Sequence, residues 1–78
     1  MTKENRYNAI FTDKAGKTTE WDFFADSTGD AGEKVNAEAV LQNMEDENRK
    51  HGAFPEIGDV VKIELWDYQA QEWFNWYL

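Results

Sequence analysis

The side chains best equipped for chemistry are carboxylates, and they crowd at two places: Asp22, Asp26, Asp30 and Glu33, and further on Glu45-Asp46-Glu47. Oxygen donors at that density suit a hard cation, and a close carboxylate pair suits proton transfer. Neither chemistry finds its spacing. A calcium loop places oxygen ligands at every second position ahead of a Gly and a closing Glu, and no stretch of the chain does so. Asp26 to Asp30 are explained by turn and helix-start chemistry, and Glu45-Asp46-Glu47 by a solvated helix face. A glycosidase-type acid–base pair needs a substrate cleft, for which so small a core leaves little room. His51 is the single histidine. It has no Cys partner and no Ser-containing nucleophile motif, and no Gly-rich loop is present to cradle a phosphate. The expectation is a protein that is not an enzyme, with no catalytic residue, metal ligand or cofactor.

The remaining side chains with functional potential are aromatic, and what they do depends on the elements that hold them. The chain has 78 residues, room for a single domain spanning 1–78. It has no Cys, so disulfides and thiolate metal sites are excluded, and four Trp, five Phe and three Tyr must supply the packing. No apolar run approaches the ~20 residues of a membrane span, and the polar stretch after Met1 does not resemble a signal peptide. A soluble protein of the cytoplasm is expected.

Period-two alternation marks strands at Tyr7 to Thr12, with Tyr7, Ala9 and Phe11 on one face, and at Thr19 to Ala25, with Trp21, Phe23 and Ala25 on one face. A three-residue loop, Lys14-Ala15-Gly16, with Gly16 left-handed, pairs Asp13 with Lys17. Counting outward sets Phe11 against Thr19, Ala9 against Trp21 and Tyr7 against Phe23, so apolar faces apolar. A slip of one residue would destroy that agreement. Asp30 as N-cap with Glu33 three residues on predicts a helix whose apolar stripe is Ala37, Val40, Leu41 and Met44. Arg49, Lys50 and His51 would complement the helix dipole in its last turn, and Gly52 would end it. A third strand, Val60 to Trp66, turns Val61, Ile63 and Leu65 inward, and a fourth runs from about Trp73 to Leu78. The loop Tyr68-Gln69-Ala70-Gln71 pairs Leu65 with Phe74, Ile63 with Trp76 and Val61 with Leu78. The stretch from Ala53 to Gly58 reads as a connection.

The result is an α+β fold, ββαββ, in which two hairpins form one four-stranded sheet with a single helix on one face. Two strand orders fit. A β-grasp would pair the first and last strands in parallel at the centre, and the alternative is antiparallel throughout; the reading leans to the first. The face away from the helix carries Glu20, Asp22 and Phe24 from one hairpin and Glu64, Trp66, Trp73 and Tyr77 from the other, together with Arg6, Asn8, Ile10, Thr12, Lys62 and Asn75. Large aromatics mixed with charge outside a core have the composition of a protein-binding hot spot, and equally of a cross-strand ladder that stabilises the sheet. Glu20, Asp22, Phe24, Glu64, Trp66, Trp73 and Tyr77 are the candidate partner-binding residues.

Sixteen acidic against eight basic residues give a net charge of −8. Such a field repels phosphate backbones, which argues against direct nucleic-acid binding and favours a protein partner with a basic surface. A very small, acidic, Cys-free ββαββ chain resembles the phage-encoded anti-CRISPR inhibitors, several of which have this element order. Those inhibitors have no common motif, so no residue role carries over. The resemblance implies a nucleic-acid mimic that acts as a stoichiometric inhibitor, occupying a basic channel or blocking an effector subunit in the host cytoplasm. The immunoglobulin-binding β-grasp modules of bacterial surface proteins share the element order as well. The alternative expectation is a small structural or regulatory subunit that self-associates through an edge strand or the aromatic face. Monomer and homodimer both remain open.

Overall fold

The computed structural model describes residues 5–44, 54 and 56–77, with the side chains of Trp76 and Tyr77 outside that description. The order is β1 (Asn5–Asp13), β2 (Thr18–Ala25), α1 (Thr28–Gln42), β3 (Val60–Asp67) and β4 (Glu72–Tyr77). The fold is α+β, as the period-two segments on either side of one helix require. Both hairpin registers follow from those segments. Phe11 faces Thr19, Ala9 faces Trp21 and Tyr7 faces Phe23, and Leu65 faces Phe74 and Ile63 faces Trp76. Leu78, expected opposite Val61, lies outside the described residues.

Each turn is built on an aspartate. Asp13 Oδ1 accepts from the backbone N–H groups of Ala15 and Lys17 at 2.9 and 2.8 Å. The loop closes through Asp13 N–H to Lys17 C=O at 2.9 Å, with Gly16 at φ +86°, where a side chain would be strained. In the second turn Asp67 Oδ1 accepts from the backbone of Gln69 and Ala70 at 2.9 and 3.1 Å. Here the left-handed position is held by Gln71, at φ +55°.

The sheet order is β2-β1-β3-β4, antiparallel throughout. The β-grasp arrangement, with β1 beside β4 in parallel, is therefore not the one adopted. In both arrangements α1, roughly 22 Å long, carries the chain back so that β3 runs opposite to β1, and the strand directions are the same. Polar contacts close the β1–β3 junction at both ends. At one end Asp13 Oδ2 accepts from Gly58 N–H at 2.8 Å, and Lys14 N–H donates to Asp59 C=O at 3.0 Å. At the other, the Gln69 amide accepts from Arg6 N–H at 2.8 Å and donates to Arg6 C=O at 3.1 Å, standing in for a strand partner.

A register shift at Thr12/Asp13 places Val60 opposite Asp13, so Val60 is the core residue and Val61, expected inward, is only partly buried.

The helix departs most from expectation. Its N-cap is Ser27 rather than Asp30: the Ser27 hydroxyl accepts from Asp30 N–H at 3.1 Å, and Thr28 opens the first turn. Thr28 is fixed there by a relay, because its hydroxyl donates to Asp67 Oδ2 at 2.9 Å and so receives the Tyr7 hydroxyl proton at 3.5 Å. The buried positions are Ala31, Val35, Ala39 and Gln42. The expected stripe of Ala37, Val40, Leu41 and Met44 faces outward instead. The reason is steric. The sheet contributes bulky rings at Tyr7, Phe11, Trp21 and Phe23, and small helix residues let the helix approach them.

The helix stops at Gln42, earlier than the expected end at Gly52. Asn43 caps it and uses its amide to pair with Val60, accepting from its N–H at 2.6 Å and donating to its C=O at 3.0 Å. Residues 45–53, including His51 and the basic stretch expected in the last turn, lie outside the described residues.

The core comprises the inward residues of β1, β2 and β3 and the small face of α1, joined by Phe54 and Ile57 from the connection. Phe54 lies 4.8 Å from the Phe11 ring centre, and Trp21 stacks on Phe23 at 4.3 Å. The connection is therefore part of the packing. Among the described residues no helix is long and apolar enough to cross a membrane.

Candidate functional site

With α1 on one face, the other face of the sheet is left open by the described residues, and the registers order its side chains into rows across the four strands. One row reads Asp22, Asn8, Trp66, Trp73, and the next reads Glu20, Ile10, Glu64, Asn75. The pairing of Thr12 with Lys62 and of Lys62 with Tyr77 extends a third row toward the end of β4, and Phe24 lies beside Arg6 at the opposite edge. All seven candidate residues therefore sit at positions of this one face. The side chain of Tyr77 lies outside the described residues.

The aromatics gather where the second hairpin turns. The ring centres of Trp66 and Trp73 are 5.1 Å apart, inclined at 49°, and Tyr68 meets Trp66 edge-on at 6.4 Å. Trp66 is half-buried, whereas Trp73 is 51% and Phe24 54% exposed. Together with Asn8, Ile10 and Glu20, the three rings bound an open groove of about 410 Å³. It is the kind of concavity, mostly apolar with a few polar groups, in which ligand and hot-spot contacts form. Tyr68 belongs to this groove but was expected only in a turn. Its sequence neighbourhood carries turn residues, and only the placement of the turn over the open face brings its ring back to Trp66.

The charges of the face are largely matched within it. Arg6 grips Asp22 through Nε at 3.1 and 3.2 Å and through Nη2 at 2.7 Å. That hydrogen bond, assisted by the opposite charge, holds the Asp22 carboxyl below the usual carboxylate range and raises Arg6 further. The same guanidinium lies 4.6 Å from the centre of the Tyr68 ring. Lys62 approaches Glu64 at 3.5 Å. Glu20 makes no ion pair among the described residues, and it is the carboxylate that borders the groove.

Two further carboxyls are shifted without belonging to this face. Asp13 is lowered chiefly by the Gly58 N–H, aided by Lys17 and Ala15. For Asp67, burial pushes the carboxyl up, but hydrogen bonds from Ala70, Thr28 and Gln69 outweigh it and the net direction is downward. Both serve turns and strand junctions. Among the described residues no three His, Cys, Asp or Glu side chains are grouped to hold a metal ion.

Comparison of the chain with protein-family models, with curated proteins and with solved structures found no match.

Proposed function

We propose that the protein is a non-catalytic protein-binding module that docks the open face of its sheet onto a partner with a basic surface, acting as an inhibitor of the kind it resembles, the phage-encoded anti-CRISPR proteins. The observation that carries this reading is the groove formed by Trp66, Tyr68 and Trp73 on a face that none of the described elements covers. Aromatic side chains supply large contact area at small entropic cost, and they dominate the energetic centres of protein interfaces.

The net charge of −8 supports a basic partner, such as a protein whose ordinary ligand is nucleic acid. The distribution of charge refines that picture. Asp22 and Glu64 are already paired on the face, so the overall field favours approach, while the rings and Glu20 make the close contact.

Affinity capture from a host lysate, with salt titrated and the wild type compared with Trp73→Ala and Glu20→Lys, tests the proposal. A specific partner with a basic surface, weakened at least about tenfold by Trp73→Ala and released by rising salt, is the expected result. Capture unaffected by either substitution would overturn it. Self-association is favoured by a separate observation, since β4 is an edge strand that also bears the exposed Trp73. Sedimentation equilibrium separates the two readings: a tight dimer lost in Trp73→Ala would mean that the face serves a second copy.

A further inference from the structure

We infer that the groove at Trp66, Tyr68 and Trp73 is a binding site for an arginine side chain, with Glu20 as its counter-charge. The inference rests on the docking reading above and specifies the chemistry of the residue that the partner inserts.

The open face already contains one complete example of this recognition. The Arg6 guanidinium is held bidentately by Asp22 and lies 4.6 Å from the centre of the Tyr68 ring. A carboxylate fixes the planar fork at its edge, and an aromatic face supports it from one side. Immediately beside it, the same two components recur, with no cation between them among the described residues. Trp66 and Trp73 present two rings 5.1 Å apart, and Glu20 borders the same groove. Among the described residues, the cations of this face, Arg6 and Lys62, are engaged by Asp22 and Glu64.

Size and polarity narrow the occupant. A volume of about 410 Å³ accommodates one long side chain and lies near the lower end of the range for ligand pockets. Rings alone would accept an aliphatic residue, but a carboxylate at the rim would then be desolvated without a partner. A guanidinium satisfies both, stacking on indole while it donates to Glu20, and it surrenders its hydration more readily than an ammonium. The Asn8 amide, also at the groove, offers a carbonyl acceptor to the same fork.

The decisive comparison uses two probes of equal shape: acetyl-Gly-Arg-Gly-amide, and the same peptide with citrulline, which keeps the planar group and loses the charge. Each is titrated into the full chain while the indole N–H resonances of Trp21, Trp66 and Trp73 are followed by NMR. The arginine peptide should shift Trp66 and Trp73 saturably and leave Trp21 in place. The citrulline peptide should bind at least about fivefold more weakly. Glu20→Gln should weaken the arginine peptide about fivefold and leave the citrulline peptide unchanged, and Trp73→Ala, checked for a retained amide spectrum, should weaken both.

Equal binding of the two peptides, absence of binding by both, or indifference to Glu20→Gln would overturn the assignment. If partner capture depends on Trp73 while the peptides do not discriminate charge, the arginine site falls and the docking face stands. If the arginine peptide behaves as expected while partner capture survives both substitutions, the docking face falls and the site stands.

Discussion

The two faces of the sheet are made by alternate residues of the same strands, yet they are organised by different physics. The helix-covered face is apolar and closed: Tyr7, Ala9, Phe11, Ile63 and Leu65 are nearly inaccessible and interlock with the small side of α1. The other face places rings and charges side by side and satisfies most of the charges locally, leaving the indoles open to solvent. Stability resides on the first face and at the hairpin turns. The second face is therefore free to be specified by something outside the fold, which is the physical basis for assigning it to binding.

The largest effect that tests this division is expected from Phe11→Ala. It removes a fully buried ring in contact with Phe54, a loss of about 3–5 kcal/mol, comparable with the whole stability of a domain this small. Circular dichroism should show an unfolded or barely folded chain.

The next effect is that of pH. The Asp13 and Asp67 carboxyls lie lower in the folded chain than in the unfolded one, so their contribution is complete above the ordinary carboxylate range and is lost as pH falls through the depressed folded values. Urea midpoints should be flat from neutrality down to about pH 5 and should fall steeply below about pH 4. Asp13→Asn should lower the neutral midpoint and flatten the acid limb. An unchanged acid limb would assign the loss to other carboxylates.

On the open face, Trp73→Ala should change stability by no more than about 1 kcal/mol, the worth of a cross-strand aromatic pair, although it should weaken partner capture at least about tenfold. A loss several times larger in urea unfolding would make the Trp66/Trp73 pair structural and break the comparison. The smallest effect should come from Gln71→Gly, which relieves a left-handed φ of +55° and should raise the midpoint by an amount equivalent to about 0.5–1 kcal/mol.

What was readable from the sequence is what local rules determine. Both hairpin registers were, because Gly16 and the two apolar alternations independently demand the same pairing, and so was the juxtaposition of Trp66 with Trp73. The residues of the open face followed from parity alone. Strand order was not readable, since it is expressed in non-local contacts such as Asp13 to Gly58, separated by 45 residues, which no local pattern announces. The helix phase is not legible from residue size, which favours the large apolar residues for the core, whereas a sheet already crowded with rings packs against Ala31, Val35 and Ala39. The matching of charges on the open face was also hidden. Arg6 and Asp22 lie diagonally across two strands, and only their observed conformations turn a list of acidic residues into one paired and one open carboxylate beside the rings.

The bonds that close the β1–β3 junction at its two ends also bear on the order of folding. Each hairpin is local and can form within microseconds. Joining them requires contacts such as Gln69 to Arg6, 63 residues apart, with the loop entropy surrendered before the central ladder returns any energy. The encounter of two preformed hairpins should therefore limit the rate of folding. Stopped-flow measurements would then find that substitutions in either turn alter folding less than substitutions along the facing edges of β1 and β3. In that sequence of events the Asp13 and Gln69 bonds act as latches that engage after the central strands have met, setting how slowly the finished molecule comes apart rather than how quickly it assembles.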